Sequence, residues 1–189
     1  MVKVELLDIV DENGTPTGKT VTREAAHRCG IRHRTSHVWI LRKHNGQTQV
    51  LLQKRSLDKD SYPGCYDISS AGHIPSGQGS LESALRELKE ELGVDAAEEE
   101  LIYCGRRQFE YRETFHGREF RDNQVSNVYA LWRDQEAGEF TVQKLEVDDV
   151  LWMDWDRCID MVKNGKAPNC IRLTELEMIS SAAVAGTAA

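Results

Sequence analysis

The segment from residue 72 to residue 94, GHIPSGQGSLESALRELKEELGV, constrains this chain more than any other. A loop with three glycines and a proline runs into a stretch of good helix formers. Ser80 is a predicted N-cap, and Gly93 stands where a left-handed residue ends a helix. One apolar stripe recurs at helical spacing, formed by Leu81, Leu85, Leu88 and Leu92. The pattern predicts a loop followed by an amphipathic helix.

Three carboxylates share one face of this predicted helix. Glu87, Glu90 and Glu91 have the spacing i, i+3, i+4, which places them side by side. Like charges so close repel unless a cation lies among them. Mg²⁺ prefers oxygen ligands and pairs readily with substrate phosphates. The glutamates therefore predict a metal site for phosphate chemistry, and a solvated acidic helix face is the alternative.

The same segment resembles the Nudix box, in which a glycine and a glutamate precede an Arg-Glu-hydrophobe-any-Glu-Glu-any-Gly-hydrophobe run. The residues in register are Gly72, Arg86, Glu87, Leu88, Glu90, Glu91, Gly93 and Val94. Gln78 stands where the family has its first glutamate. The resemblance implies that Gln78 braces the loop and helix around Arg86.

The resemblance also implies a set of metal ligands. It assigns Mg²⁺, with Mn²⁺ as an alternative, to the carboxylates of Glu87, Glu90 and Glu91 and to the carbonyl of Gly72. Arg86 would orient Glu87 from outside the metal's ligand shell.

Further segments are similar to the isopentenyl-diphosphate-isomerase-like branch of Nudix proteins, over roughly residues 3 to 165. They are LDIVD from Leu7, HVWI from His37, KDSYPG from Lys59 and DISSAGH from Asp67. The branch contains both isomerases and hydrolases. The resemblance to this branch places Arg55 and Lys59 against a diphosphate. The alternative is that both are solvated charges on the protein surface.

The isomerases use a cysteine directly before the Gly-His of the box and a glutamate on a facing strand. Here those positions hold Ala71 and, as the best placement, Gln124, and neither side chain transfers protons. Cys65 would substitute only if its loop folded back.

The isomerases also bind a metal through several histidines. His27, His33 and His73 lie in similar regions, but the spacing of the first two is one residue short. We therefore give His27 and His33 little weight as ligands and His73 somewhat more, because it adjoins the metal loop.

Hydrolysis of an organic diphosphate of nucleoside or isoprenoid type is thus the first hypothesis, since carboxylates that hold Mg²⁺ and activate water are sufficient for it. Isopentenyl diphosphate isomerisation and a non-catalytic Nudix ligand-binding module are the alternatives. The general base is left open among Glu91, Glu113, Glu119 and Glu146. Nucleoside diphosphate derivatives, dinucleoside polyphosphates and isoprenoid diphosphates all remain as substrates.

Composition limits the partners and the compartment. The net charge of −7 argues against general affinity for nucleic acid. No apolar run approaches the roughly 20 residues of a membrane span, and the N-terminus does not resemble a signal peptide. The five cysteines are scattered, without a Cys-x-x-Cys pair, which favours reduced thiols in the cytoplasm. A small-molecule diphosphate is the expected partner.

The rest of the chain alternates predicted strands and helices. Strands are predicted over residues 4–10, 37–41, 49–54, 101–111, 124–132 and 150–155, and helices over 23–29, 156–164 and 172–180, besides the helix of the box. With 189 residues and 40% hydrophobic content, we expect one domain over residues 1–180, followed by a flexible tail over 181–189. The fold class is α/β, and the resemblance specifies a Nudix-type α/β/α sandwich with a mixed sheet.

Overall fold

A mixed seven-stranded sheet lies between helices in the computed structural model, which describes residues 4–185. The strands of this sheet are β3 (His33–His44), β4 (Gln47–Arg55), β5 (Tyr66–Asp67), β6 (Ser70–His73), β7 (Ile102–Phe115), β8 (Arg118–Trp132) and β9 (Val147–Asp154). A separate hairpin pairs β1 (Leu6–Val10) with β2 (Pro16–Thr22). The helices are α1 (Arg23–Cys29), α2 (Ser80–Leu92), α3 (Trp155–Asn164) and α4 (Leu173–Ala185).

Strand β3 is the centre of the sheet. It pairs in parallel with β8 and antiparallel with β4 and β6. Its side chains alternate between the two faces, so Val38 and Ile40 pack in the core beneath α2, whereas Trp39 and Leu41 pack in the core beneath α3 and α4. Both faces of the strand are buried at its middle, which explains the uninterrupted apolar run from Val38 to Leu41.

The helix of the box is confirmed with one change at its start. Gly79, rather than Ser80, is the N-cap, because the Ser80 hydroxyl lies 2.8 Å from the Tyr129 hydroxyl instead of capping. Gly93 ends the helix with φ of 69°, as predicted. Leu88 and Leu92 are fully buried against the sheet, so the apolar stripe anchors the helix and fixes the direction of its polar face.

Strands β7 and β8 extend well beyond their predicted bounds and form one long hairpin. Thirteen register pairs connect Ile102–Phe115 to Arg118–Trp132, and the turn is made by His116 and Gly117 with φ of 49° and 72°. The outer half of this hairpin is rich in charged residues and only half buried, so hydrophobic patterning did not reveal it.

The C-terminal helix is also longer than predicted. It continues to Ala185 with Ala182 and Ala183 buried, so residues 181–185 are helical where a flexible tail was predicted. The remainder of the predicted tail, residues 186–189, lies outside the described residues. Within residues 4–185, every helix is too short or too polar to cross a membrane.

Candidate active site

A cavity of about 1350 Å³ opens beside the N-terminal half of the sheet's central strands. It is bordered by α1, α2, β6, the loop after β4, the outer half of the β7–β8 hairpin and the start of α4. All seven residues predicted for the site line it: Arg55, Lys59, Gly72, Arg86, Glu87, Glu90 and Glu91. The fold thus gathers into one cavity residues that are as far as 36 positions apart, from Arg55 to Glu91.

Gly72 and Glu87 are in close contact. A Cβ atom at Gly72 would lie 2.1 Å from the Glu87 carboxyl carbon, so only glycine fits there. Arg86 holds the same carboxylate, because its Nη2 donates to Glu87 Oε1 at 2.6 Å and to the His73 carbonyl at 3.3 Å. The predicted role of Arg86 in orienting Glu87 matches this geometry.

Glu91 lies at the buried end of the acidic face. It shares a helix face with Glu87 and Glu90, as predicted, but it is buried rather than solvated, since the residue is only 3% exposed. Its Oε2 accepts from the Ser70 hydroxyl at 2.8 Å and from the Ala71 amide at 3.4 Å. Burial, and secondarily the charge of Glu87, raises the pKa of Glu91 to about 8. The buried carboxylate is therefore poised to exchange its proton for a cation.

The oxygen donors of α2 fit a hard divalent cation. Glu87 and Glu91 are mutually repulsive carboxylates at the cavity wall, and burial raises the pKa of Glu87 as well. Glu90 is half exposed and its Oε2 accepts from Arg86 Nη1 at 2.8 Å. Glu90 can act as a metal ligand only if its carboxylate gives up the contact with Arg86 and binds the metal instead. An all-oxygen donor set of this kind suits Mg²⁺ or Mn²⁺.

The two predicted diphosphate-binding cations are neither solvated nor free. Arg55 Nη1 donates to Asp67 Oδ2 at 2.9 Å, and its Nε and Nη2 donate to the Ser61 carbonyl. Lys59 forms an ion pair with Glu146. Each cation therefore faces the cavity from a fixed position.

The structure separates the four candidates for the general base. Glu91, Glu119 and Glu146 line the cavity, whereas Glu113 is not among its lining residues within the part of the chain that the structure describes. Glu146 is close enough to Glu91 for its charge to raise the pKa of that residue.

Gln78 does not brace Arg86. Its side-chain oxygen lies 3.4 Å from the Ser83 hydroxyl, and its backbone carbonyl accepts from Arg34. Arg86 is instead held by Glu87, Glu90 and the His73 carbonyl. Gln78 thus joins the loop to the helix through Ser83, but the predicted contact with Arg86 is wrong, because the loop turns the Gln78 side chain toward the start of α2.

The three-histidine cluster, His27, His33 and His73, lies beside the box in the same region. The three residues each offer a ring nitrogen, and these atoms lie within 4.8 Å of one another. His27 Nε2 and His73 Nε2 are 3.0 Å apart. The sequence spacing gave His27 and His33 little weight, but Gly30 ends α1 and turns the chain so that both rings meet.

The cluster is neutral and short of hydrogen-bond partners. Burial lowers the pKa of His27 to about 3, and it also lowers the pKa values of His33 and His73. Asp122, whose pKa burial raises to about 6, points its Oδ1 toward His27 Nδ1 at 3.6 Å and His33 Nε2 at 3.7 Å. These three atoms have no hydrogen-bond partner. Neutral imidazoles and a carboxylate with unused lone pairs fit a transition metal such as zinc, iron or manganese.

The two positions that distinguish isomerases from hydrolases both border the cavity. Ala71 and Gln124 are lining residues, and Gln124 is held by hydrogen bonds to Thr35 and Asp122. Cys65 is not among the described lining residues. Cys65 therefore does not replace the missing cysteine next to Gly72, and the cysteine that does line the cavity is Cys170, which precedes α4.

Sequence reasoning missed the cavity wall formed by α4 and β7. Glu175 of α4 is 1% exposed and accepts from His37 Nδ1 at 2.9 Å, Trp39 Nε1 at 3.0 Å and Arg107 Nε at 2.7 Å. These contacts hold the pKa of Glu175 at about 2 despite its burial. Period-2 spacing of Arg107, Phe109 and Tyr111 was the signal that could have placed these three on one face of a strand.

Comparison with known proteins identifies the family. A NUDIX domain model matches residues 32–170. The chain is 36% identical over 160 residues to an uncharacterised Nudix hydrolase of Clostridium acetobutylicum, covering 85% of this chain and 75% of that protein. It is 40% identical over 158 residues to Nudix hydrolase 3 of Arabidopsis thaliana, covering 80% of this chain but only 19% of the plant protein.

Solved structures show the same fold at low identity. A crystal structure from Deinococcus radiodurans matches with a TM-score of 0.67 at 20% identity, covering 91% of this chain and 96% of that one. The NUDIX domain of Shewanella oneidensis NrtR, in complex with ADP ribose, matches with a TM-score of 0.59 at 18% identity, covering 78% and 86% of the two chains. An Ap4A hydrolase of C. elegans matches with a TM-score of 0.53 at 20% identity, covering 81% and 98%. The family model and the relatives together show that this chain belongs to the Nudix family.

Proposed function

We propose that this protein is a Mg²⁺-dependent hydrolase that cleaves the phosphoanhydride bond of an organic diphosphate. The observation that carries the proposal is the buried Glu91 beside Glu87 at the wall of a large cavity that also presents Arg55 and Lys59. Two carboxylates that repel each other in a dry site favour a divalent cation, and the nearby cations favour phosphate.

The chain's own residues have distinct roles in this proposal. When bound, Mg²⁺ neutralises phosphate charge and lowers the pKa of a bound water. Glu87, Glu90 and Glu91 supply carboxylate ligands, and Gly72 leaves the space that Glu87 needs. Arg86 keeps Glu87 in position through its 2.6 Å contact. Arg55, fixed by Asp67 and Ser61, holds phosphate oxygens in the same cavity.

Lys59 and Glu146 supply a candidate acid–base element. In the free protein they neutralise each other. A phosphate that binds Lys59 competes with Glu146 for it, and the released carboxylate is then free to take a proton from the attacking water. This favours Glu146 over Glu119 as the general base, because Glu119 is already held by Arg112 and Arg121 at the exposed hairpin.

The substrate test is hydrolysis of a panel of diphosphates with and without Mg²⁺, read by free phosphate and by product mass. The panel includes ADP-ribose, dinucleoside polyphosphates, nucleoside diphosphates and isoprenoid diphosphates, since an ADP ribose complex and an Ap4A hydrolase occur among the structural neighbours. Mg²⁺-dependent turnover of at least one compound is expected. Binding without turnover throughout would instead support a non-catalytic ligand-binding module.

The metal assignment predicts the effect of neutral substitutions on α2. Glu90→Gln and Glu91→Gln should each lower kcat by roughly 10²-fold or more, because each removes a charged ligand. Glu99→Gln, at an exposed position outside the cavity, is the matched control. Near-normal activity of both α2 variants at limiting Mg²⁺ would contradict the assignment.

Isomerisation of isopentenyl diphosphate is the less favoured alternative, because Ala71 replaces the thiol that the reaction requires. We expect no allylic isomer above a protein-free blank. Formation of the isomer would reverse this ordering and direct attention to Asp122, a carboxyl group that lines the same cavity as Ala71.

The three-histidine cluster with Asp122 would hold a second divalent ion in the same cavity, of the transition-metal class. The unpartnered His27 Nδ1, His33 Nε2 and Asp122 Oδ1 support this assignment. His73 connects it to the box, since the His73 carbonyl accepts from Arg86 while its ring belongs to the cluster.

A further inference from the structure

Arg172 lies at the start of α4, on the cavity wall formed by the β7 aromatics. Its guanidinium carbon is 4.5 Å from the centre of the Phe109 ring and 5.9 Å from that of Tyr111. Stacking on two rings holds the planar cation in one orientation at little further entropy cost on binding. Arg172 is thus a pre-positioned cation in the cavity.

The other half-buried or buried cations of the cavity already have carboxylate partners. Arg55 pairs with Asp67, Lys59 with Glu146, Arg86 with Glu87, and Arg107 with Glu175. Arg172 has no carboxylate within salt-bridge distance in the part of the chain that the structure describes, and its buried Nε has no hydrogen-bond acceptor. A buried donor without an acceptor is costly, so the site favours a ligand that brings one.

We propose that Arg172 binds a phosphate carried by the organic part of the substrate, at a distance from the diphosphate that is cleaved. This inference rests on the proposed diphosphatase function and names its substrate class: a diphosphate ester whose organic part bears an additional phosphate. A guanidinium with free N–H groups recognises phosphate oxygens through charge-assisted hydrogen bonds.

The sheet register separates this subsite from the metal face. Phe109 of β7 pairs with Gln124 of β8, β8 pairs with β3, and β3 pairs with β6, which carries Gly72. Three strand spacings amount to roughly 14 Å. A diphosphate is shorter than this spacing, so a substrate whose diphosphate is bound by the metal ligands beside Gly72 would reach Arg172 with another part of the molecule.

Two matched pairs of compounds test the proposal directly. Coenzyme A and dephospho-coenzyme A share a diphosphate and differ by one ribose phosphate, and so do NADPH and NADH. We expect the wild-type protein to prefer the phosphate-bearing member of at least one pair. Arg172→Gln should raise its KM by roughly 10- to 100-fold, with kcat nearly unchanged, because an uncompensated charged hydrogen bond is lost. For the member of the pair without the additional phosphate, the KM of the Arg172→Gln variant should differ from that of the wild type by less than threefold.

Two further variants separate charge from fold. Arg172→Lys should recover part of the preference, because it restores the charge without the stacked plane. Arg157→Gln, an exposed arginine on α3 outside the cavity, should behave as the wild type. Equal losses for both members of each pair, or no preference in the wild type, would overturn the proposal.

Calorimetric titration with Ca²⁺ in place of Mg²⁺ gives a readout that does not depend on turnover. Tighter binding of the phosphate-bearing member that is abolished by Arg172→Gln supports the Arg172 subsite, whether or not any compound is hydrolysed. If no compound is hydrolysed, that result contradicts the diphosphatase function but not the subsite. Hydrolysis of some diphosphate together with binding that is insensitive to Arg172→Gln leaves the function standing and overturns the subsite.

Discussion

Glu91 is a buried carboxyl group whose surroundings disfavour its charged form. Burial and the neighbouring Glu87 raise its pKa to about 8 from an ordinary value of 4.5. A carboxyl group whose pKa is higher in the folded state binds its proton more tightly there. Folding stability from this group is therefore fully present below pH 4.5 and is lost as the pH rises through 8.

This sign predicts the behaviour of Glu91→Gln in the metal-free protein. The variant keeps an acceptor for Ser70 but carries no charge, so it should gain stability relative to the wild type as the pH rises from 5 to 9. Urea unfolding in the presence of EDTA at several pH values measures the free energy of unfolding of both proteins. Addition of Mg²⁺ should reduce the difference in that free energy between the variant and the wild type. A constant difference between the two proteins across that pH range would show that Glu91 does not titrate as the burial implies.

Gly72 makes a second prediction at the residue scale. Gly72→Ala places a Cβ atom 2.1 Å from the Glu87 carboxyl carbon, so the carboxylate must move. A displacement near 1 Å in such a site is expected to lower kcat/KM by roughly 10²-fold. Gly138→Ala is the control, because an added Cβ there meets nothing within 4 Å. Full activity of the Gly72 variant would contradict the close contact.

At the scale of elements, α4 is attached to the sheet by one buried carboxylate. Glu175 receives hydrogen bonds from His37, Trp39 and Arg107, which lie on β3 and β7. The helix therefore holds these two strands together at one wall of the cavity.

Removing this carboxylate should weaken the fold. Glu175→Ala leaves Arg107 buried without its partner, which we expect to cost about 3–5 kcal/mol of unfolding free energy. Chemical denaturation provides the measurement, and Glu177→Ala, an exposed position on the same helix, is the control. A loss below 1 kcal/mol would mean that water or a rearranged neighbour replaces the carboxylate.

The elements differ in how well the sequence predicted them. The loop and helix of the box were recoverable, because Gly93 and the leucine stripe encode them locally. The outer half of the β7–β8 hairpin was not, since its stability depends on pairing between charged strands that are half exposed. The site divides in the same way: the glutamates of α2 follow from one helix, whereas Glu175 and Arg172 meet β7 only through the tertiary fold.

At the scale of the whole molecule, α1, β3, β6 and β8 bring the three-histidine cluster and Asp122 together. Spacing along the chain could not show this, because the parallel pairing of β3 with β8 determines where Asp122 lies. The alignment of four elements around a few polar atoms suggests that a bound metal stabilises their packing.

We therefore expect the purified protein to bind about one equivalent of zinc, iron or manganese, as measured by elemental analysis, in addition to Mg²⁺. Its removal should lower the melting temperature, since a ligand that binds only the folded state stabilises it. His27→Asn should abolish both metal binding and the decrease in melting temperature that metal removal causes. His44 is an exposed histidine at the end of β3, and His44→Asn should change neither. Equal metal content in both variants would contradict the cluster as the site.

The position of α4 in the chain also bears on how the protein is made. Ribosomes synthesise the polypeptide from its N-terminus, so the helix that carries Glu175 emerges after every strand of the sheet. Until α4 emerges, Arg107 lacks Glu175 as its partner, and the cavity wall beside β7 lacks Arg172. A nascent chain can assemble its acidic helix and sheet before α4 emerges, yet its binding site is completed only after α4 has left the ribosome.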